Sequence, residues 1–427
     1  MNKIGQYFNT FDITRGLLIA FALSSFIYLH EFNLSYPVLN TVTALFGIYF
    51  LLRTKRETWF WSGVFIGIFW FWWIILSFKH YQMLWAIPIG MVVIAFIYGV
   101  IFWSVAILSE KVASYADRYG LLTELLLKSL GLLILSYIHP FGFDWLKPEL
   151  IFVESYIGIT KWQFAIVLLT LTLVIWRVSP FYLALIIFAY QPLPKNIVVL
   201  DDSIQIVSTA IPVEIKWDRD LHPKHFKTFF QEIDKAIKEK KQIVILPESV
   251  FPVFINHSKS LTDKLKERAQ EIAIVTGGLY LEKKIPKNST YIFTKDHVQV
   301  ADKVLLVPFG ESNPLPDFLS DWVNEVFYDG AVDYVASADI TDYTIGDTTY
   351  RNAICFEATS EKLYEGSPKN MIVLSNNGWF VPSIEPTLQK LLLLYYNKKY
   401  GTTIYHSINM SSSYIIKDGN IIPQGGH

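Results

Sequence analysis

Apolar and polar positions divide this chain into two halves of different periodicity. Residues 12 to 192 form long apolar stretches with sparse charge, whereas residues 195 to 427 alternate short β-rich runs with amphipathic helical ones. Seven stretches in the first half are candidates to cross a bilayer, at 12–29, 37–52, 59–78, 84–108, 121–138, 160–176 and 179–192, the last of them short. A membrane-spanning helix takes roughly 20 mostly apolar residues, because every backbone amide must be satisfied without water. The pattern therefore predicts a multispanning α-helical bundle over residues 1–194, about seven helices, and a polar α/β domain over 195–427. The seam lies at Gln191, Pro192, Leu193 and Pro194.

Aromatic residues crowd the span ends, as at Trp59, Trp61, Trp70, Trp72 and Trp73, in keeping with their preference for the headgroup interface. Basic residues occupy alternate loops: Lys3 and Arg15 at the first span, Arg53, Lys55 and Arg56 after the second, Lys111 and Arg118 after the fourth, Arg177 after the sixth. Lys and Arg are retained in short cytoplasmic loops, so the N-terminus is expected inside and an odd number of spans delivers the polar domain to the outer face. Lys79, Lys147 and Lys161 lie in the opposite loops and weaken this bias without reversing it. The first apolar run lacks a small-residue cleavage site, which argues against a cleaved signal peptide. His139, Glu149 and Glu154 follow the fifth span in HPFGFDWLKPELIFVES and read as solvated loop residues.

Composition sharpens this picture in two respects. Hydrophobic residues make up 52% and charged residues 18%, with a formal net charge of −1, so no global field exists to recruit nucleic acid. A single cysteine, Cys355, excludes an intrachain disulfide and any cysteine-rich metal centre. It is either a small buried apolar residue or a reactive thiol.

In the polar half, SIQIVSTAI, QIVILPES and IAIVTGGLYL read as strands, and HFKTFFQEIDKAIKEKK and the region Leu261 to Glu271 as helices. In such α/β sheets reactive groups gather where strands end. Three residues occupy places of that kind: Glu248 after Pro247 in ILPES, Lys303 just before the apolar run of ADKVLLVPFGE, and Cys355 at the end of an apolar strand in RNAICFEATSEKL. Each taken alone is also compatible with an ordinary loop acid, a snorkelling lysine and a core cysteine. Together they supply a carboxylate to take a thiol proton, an ammonium to hold the charge of a tetrahedral intermediate, and a nucleophile.

The order Glu, Lys, Cys resembles the catalytic triad of the nitrilase superfamily. With seven apolar spans in front, KWD at Lys216 to Asp218, LPES around Glu248, DKVLLVPFGE at 302–311, ICFE at 354–357, SNNGWF at 375–380 and GFDW at 142–145, the chain is similar to the apolipoprotein N-acyltransferase family over nearly its whole length. The resemblance implies a nitrilase-like α-β-β-α sandwich on the periplasmic face of a bacterial inner membrane. It implies Glu248 as general base, Lys303 as oxyanion stabiliser and Cys355 as the acylated nucleophile, with Glu311 and Glu357 supporting the site and Trp217 and Trp379 lining a substrate pocket. The acyl donor would be a phospholipid, usually phosphatidylethanolamine, and the acceptor a diacylated lipoprotein N-terminus. No metal, ATP or nucleotide cofactor is called for.

Three departures accompany the resemblance. Leu246 stands where the family usually carries Trp, and PTLQKLLLLYYNKKYG lacks the usual histidine and arginine-alanine signature. No eighth span follows SSSYIIKDGN, so the family's C-terminal return helix is not expected within residues 195–427; a naturally short member and a truncated one both remain open. A membrane-tethered nitrilase-type amidase, in which water resolves the thioester, would use the same triad. A receptor or scaffold keeping only the fold would not depend on Cys355.

Overall fold

The computed structural model describes residues 9–194, 198–308, 310–311 and 334–424. Phe309 of the DKVLLVPFGE motif and the last three residues, including His427, lie outside them. The chain separates into two compact units, Met1–Leu193 with Pro382–Tyr395, and Pro194–Val381 with Tyr396–His427. The assignment of Pro382–Tyr395 to the apolar unit has no counterpart in the sequence reading.

Among the described residues the longer α-helices between residues 9 and 193 are α1 (Thr10–Glu31), α2 (Pro37–Leu52), α3 (Arg56–Phe71), α4 (Ala86–Ala113), α5 (Gly120–Ile134) and α6 (Lys161–Arg177). Among the described residues four helical stretches are long and apolar enough to cross a membrane, Thr10–Glu31, Arg56–His80, Ala86–Ala113 and Asp117–Tyr137. Small residues let α3 and α4 approach closely; a Cβ on Gly63 would lie 2.4 Å from the carbonyl oxygen of Tyr98.

The seventh expected span differs from a full crossing. Val178 leaves α6 in the left-handed region, and the chain restarts at Pro180 as a ten-residue 3-10 helix, Pro180–Ala189. At about 2 Å rise per residue it spans roughly 20 Å, against a hydrocarbon core of about 30 Å.

Of the three presumed loop residues, one is buried and a second only partly exposed. His139 is exposed, but Glu149 is completely buried, because Leu150, Ile151, Phe152 and Val153 fold inward and carry it with them. Its carboxylate meets Lys161 Nζ at 2.8 Å and accepts from Ser136 Oγ at 2.9 Å and Tyr395 Oη at 3.0 Å. Glu154 pairs with His30 at 3.0 Å and accepts from Ser35 Oγ.

The second unit contains two six-stranded sheets. The first comprises β1 (Ile204–Ile206), β2 (Ile243–Ile245), β3 (Phe251–Phe254), β4 (Ala273–Glu282), β5 (Ile285–Phe293) and β6 (Val298–Asp302), with β1, β2 and β4 parallel and β5 and β6 antiparallel. The second comprises β7 (Asp342–Ile345), β8 (Thr348–Ile354), β9 (Asn370–Asn376), β10 (Thr403–Asn409), β11 (Ser413–Lys417) and β12 (Asn420–Gln424), with β8, β9 and β10 parallel at its centre. Period-two alternation decides which way each residue faces. Ile204, Ile206, Ile243, Ile245 and Val275 share one core with Ile372, Leu374, Tyr405 and Ile415 of the other sheet. Val244, Leu246 and Ile274 point the opposite way, onto Phe229 and Ile233 of α7 (His222–Lys238) and Leu261 and Leu265 of α8 (Lys259–Arg268). Beyond the second sheet, Tyr364 stacks on Tyr396 and Tyr400 at the end of α9 (Glu385–Tyr400). The layering is the expected α-β-β-α sandwich.

Candidate active site

Glu248, Lys303 and Cys355 leave three different strands at their carboxyl ends. Glu248 follows β2 by three positions, Lys303 succeeds the last residue of β6, and Cys355 that of β8. The backbone turns sharply at two of these points: Ser249 and Cys355 have φ of 46° and 53°, in the left-handed region that L-residues adopt at a cost. At Cys355 this breaks the strand, and a short 3-10 turn, Cys355–Thr359, follows. Cys355 is partly exposed as a residue, whereas Glu248 and Lys303 are buried.

Lys303 is the hub of the charges. Its Nζ lies 2.7 Å from Glu311 Oε2, and the same oxygen accepts from Val307 N–H at 2.9 Å, so the turn after the apolar run returns the carboxylate onto the lysine. Burial works against the Lys303 ammonium, but Glu311, Glu248, Cys355 and Glu357 together hold its pKa above the usual lysine value. The Glu248 carboxyl is driven upward chiefly by burial, against the opposing pull of Lys303. Glu357 accepts from the backbone N–H groups of Val304 at 2.7 Å, Leu305 at 3.1 Å and Ile354 at 2.7 Å, tying the Lys303 loop to the end of β8. Burial nevertheless raises its pKa to about 7.

Two further residues complete the arrangement. Asn288 on β5 donates from Nδ2 to Glu248 Oε1 at 2.7 Å and to Glu311 Oε1 at 2.9 Å, bridging the carboxylates. Sequence reading missed it, because PKNST resembles a polar turn. Lys216, only 3% exposed, donates from Nζ to the main-chain carbonyl of Glu248 at 2.8 Å. The KWD motif contained it without suggesting this role. Gly277 closes the opposite side of that loop, where an added Cβ would meet Ser249 N at 2.5 Å.

The remaining candidates stand farther out. Trp217 is 41% exposed, and Trp379 lies partly buried in the 3-10 turn that follows β9. Among the described residues, no group of three or more His, Cys, Asp or Glu side chains is arranged to hold a metal ion.

These features define an integral-membrane protein bearing an α/β unit of nitrilase-like architecture, with acid, ammonium and thiol side chains at its strand ends. Comparison with known proteins narrows the class. The model for the apolipoprotein N-acyltransferase integral membrane domain matches residues 10–192. The apolipoprotein N-acyltransferase of Wolinella succinogenes is 41% identical over 407 residues, 94% of this chain and 95% of the relative. That of Helicobacter pylori is 33% identical over 417 residues, with 94% and 95% covered, and that of Campylobacter jejuni 34% over 418 residues, with 95% and 90%. Among solved structures, an amidase from Nesterenkonia sp. aligns with a TM-score of 0.39 at 14% identity, over 55% of this chain and 90% of the amidase. The chain belongs to the apolipoprotein N-acyltransferase family.

Proposed function

We propose that the protein transfers a fatty acyl chain from a phospholipid, through a thioester on Cys355, to the α-amine of a diacylglyceryl-cysteine at a lipoprotein N-terminus. Glu248 takes the Cys355 proton as the sulfur attacks the ester carbonyl. Lys303 stabilises the oxyanion, the C–O bond breaks, and the proton passes to the departing lysophospholipid. The acceptor amine then attacks the thioester, Glu248 receives its proton, and the C–S bond breaks to restore the thiol. The observation that carries this reading is the charge arrangement: a buried lysine that acts electrostatically on the chain's one cysteine, with Glu311 at 2.7 Å and Glu248 bridged to Glu311 through Asn288.

Intact-mass measurement after incubation with phosphatidylethanolamine vesicles tests it. The expected result is one fatty-acyl adduct per chain, removable by hydroxylamine and absent in Cys355→Ser. A diacylglyceryl peptide added afterwards should discharge the adduct into a triacylated product. Release of free fatty acid alone would instead support the amidase reading.

The catalytic unit faces the periplasm in this proposal, supported by the alternate basic loops. A membrane-impermeant thiol reagent should then label Cys355 in spheroplasts. Labelling only after lysis would reverse the orientation.

A further inference from the structure

We infer that Lys216 is the second cation of the Cys355 centre, fixing the backbone of Glu248 while reducing the electrostatic cost of the Cys355 thiolate. This rests on the reading of Cys355 as nucleophile and deepens it.

The charge inventory motivates the assignment. Glu248, Glu311 and Glu357 surround the site, and Lys303 already acts electrostatically with all three and with Cys355. Ionising the thiol would add another negative charge against this single ammonium, and like charges gathered in a buried site oppose ionisation. Lys216 supplies the missing countercharge. Its side chain is buried, its ammonium interacts electrostatically with Glu248 and then Cys355, and its hydrogen bond to the Glu248 carbonyl holds it there. The remaining titratable neighbours are Tyr334, under the influence of Glu311, Glu248 and Lys303, and His222, whose Nε2 lies 3.3 Å from the Lys216 carbonyl oxygen.

Position and charge are joined in one side chain. The Glu248 loop is held on one side by Lys216 Nζ and on the other by the close approach of Gly277, so the carboxylate is presented by backbone that cannot readily shift. Burial lowers the Lys216 pKa to about 8, which shows how much of its solvation the residue forgoes to occupy this place.

Because Cys355 is the only cysteine, alkylation of the full-length protein reports on this sulfur alone. Iodoacetamide labelling in detergent micelles, followed by intact mass from acid to alkaline pH, gives the thiolate profile. Lys216→Met is expected to move the profile up by about one pH unit, making labelling about tenfold slower on its acid limb, while Lys216→Arg stays near the parent. Lys216→Gln, which keeps an N–H donor for the Glu248 carbonyl but removes the charge, should shift like Met and carries the test if Met does not fold. A folded Met or Gln variant whose profile superimposes on the parent overturns the assignment. Lys303→Met distinguishes the two levels: if it shifts the profile and the Lys216 variants do not, the inference alone fails. If neither lysine matters, the Cys355-centred reading fails with it.

Discussion

The two units bury charge in opposite ways. Between Thr10 and Arg177 of the helical unit the buried Glu149 and Lys128 are matched locally. Glu149 has Lys161 at 2.8 Å with two hydroxyl donors, and Lys128 has Glu124 at 2.5 Å and the Thr54 carbonyl at 2.7 Å. In the α/β unit three carboxylates converge with Lys303 and Lys216 near one thiol, and burial raises the pKa of Glu248 and Glu357 instead of leaving them simply paired. Matched charges stabilise an arrangement when formed and penalise its disruption. Charges crowded without local balance hold protons poised to move, which is what acyl transfer through a thiol requires. The same buried residue types are thus arranged differently in the two units.

That contrast can be broken most forcefully at Glu149. Glu149→Ala removes the buried carboxylate shared by Lys161, Ser136 and Tyr395 and is expected to cost about 3 kcal/mol, whereas replacing Glu149 and Lys161 by Leu and Met should recover most of the loss. Thermal unfolding in detergent reads both; a single substitution without a drop in midpoint would show that the pair is not structural. Asn288→Leu probes the other unit. Losing one donor to two carboxylates should slow acyl-adduct formation about tenfold to a hundredfold with only a small change in unfolding midpoint, and an unchanged rate would detach Asn288 from the chemistry.

Glu385 offers the smallest and most conditional effect. It is buried, and burial raises its pKa to about 8 from an ordinary value of 4.5. The fold therefore favours the protonated form: its contribution is fully present below about pH 4.5 and is lost as the pH rises through about 8. Glu385→Gln should raise the unfolding midpoint at pH 8 and leave pH 5 nearly unchanged. A parallel shift at both pH values would mean that ionisation is not the cause.

Much of the architecture was legible from local pattern. Apolar runs predicted the helical unit, and alternation predicted β1, β2 and β4, because both signals arise from which side of one element meets water. Candidate chemistry was legible for a related reason: Glu248, Lys303 and Cys355 each stand where a β-rich or apolar run begins or ends. Less could be read of the supporting residues. Asn288 sits in a polar run typical of turns, yet pairing with β4 and β6 makes it part of a central strand and aims its amide at two carboxylates. Glu149 sits in what reads as a loop, and only the inward fold of its neighbours buries it.

By itself, then, the sequence determined the helical and α/β parts, the elements within each, and the three residue types able to perform acyl transfer, since all of these depend on neighbours along the chain. Tertiary structure alone decided that Lys216 and Asn288 hydrogen-bond to Glu248, that the seventh apolar stretch is a short 3-10 helix, and that Pro382–Tyr395 packs with the helical unit. Each of those outcomes depends on desolvation and charge compensation among groups dozens to hundreds of residues apart, which no local pattern records.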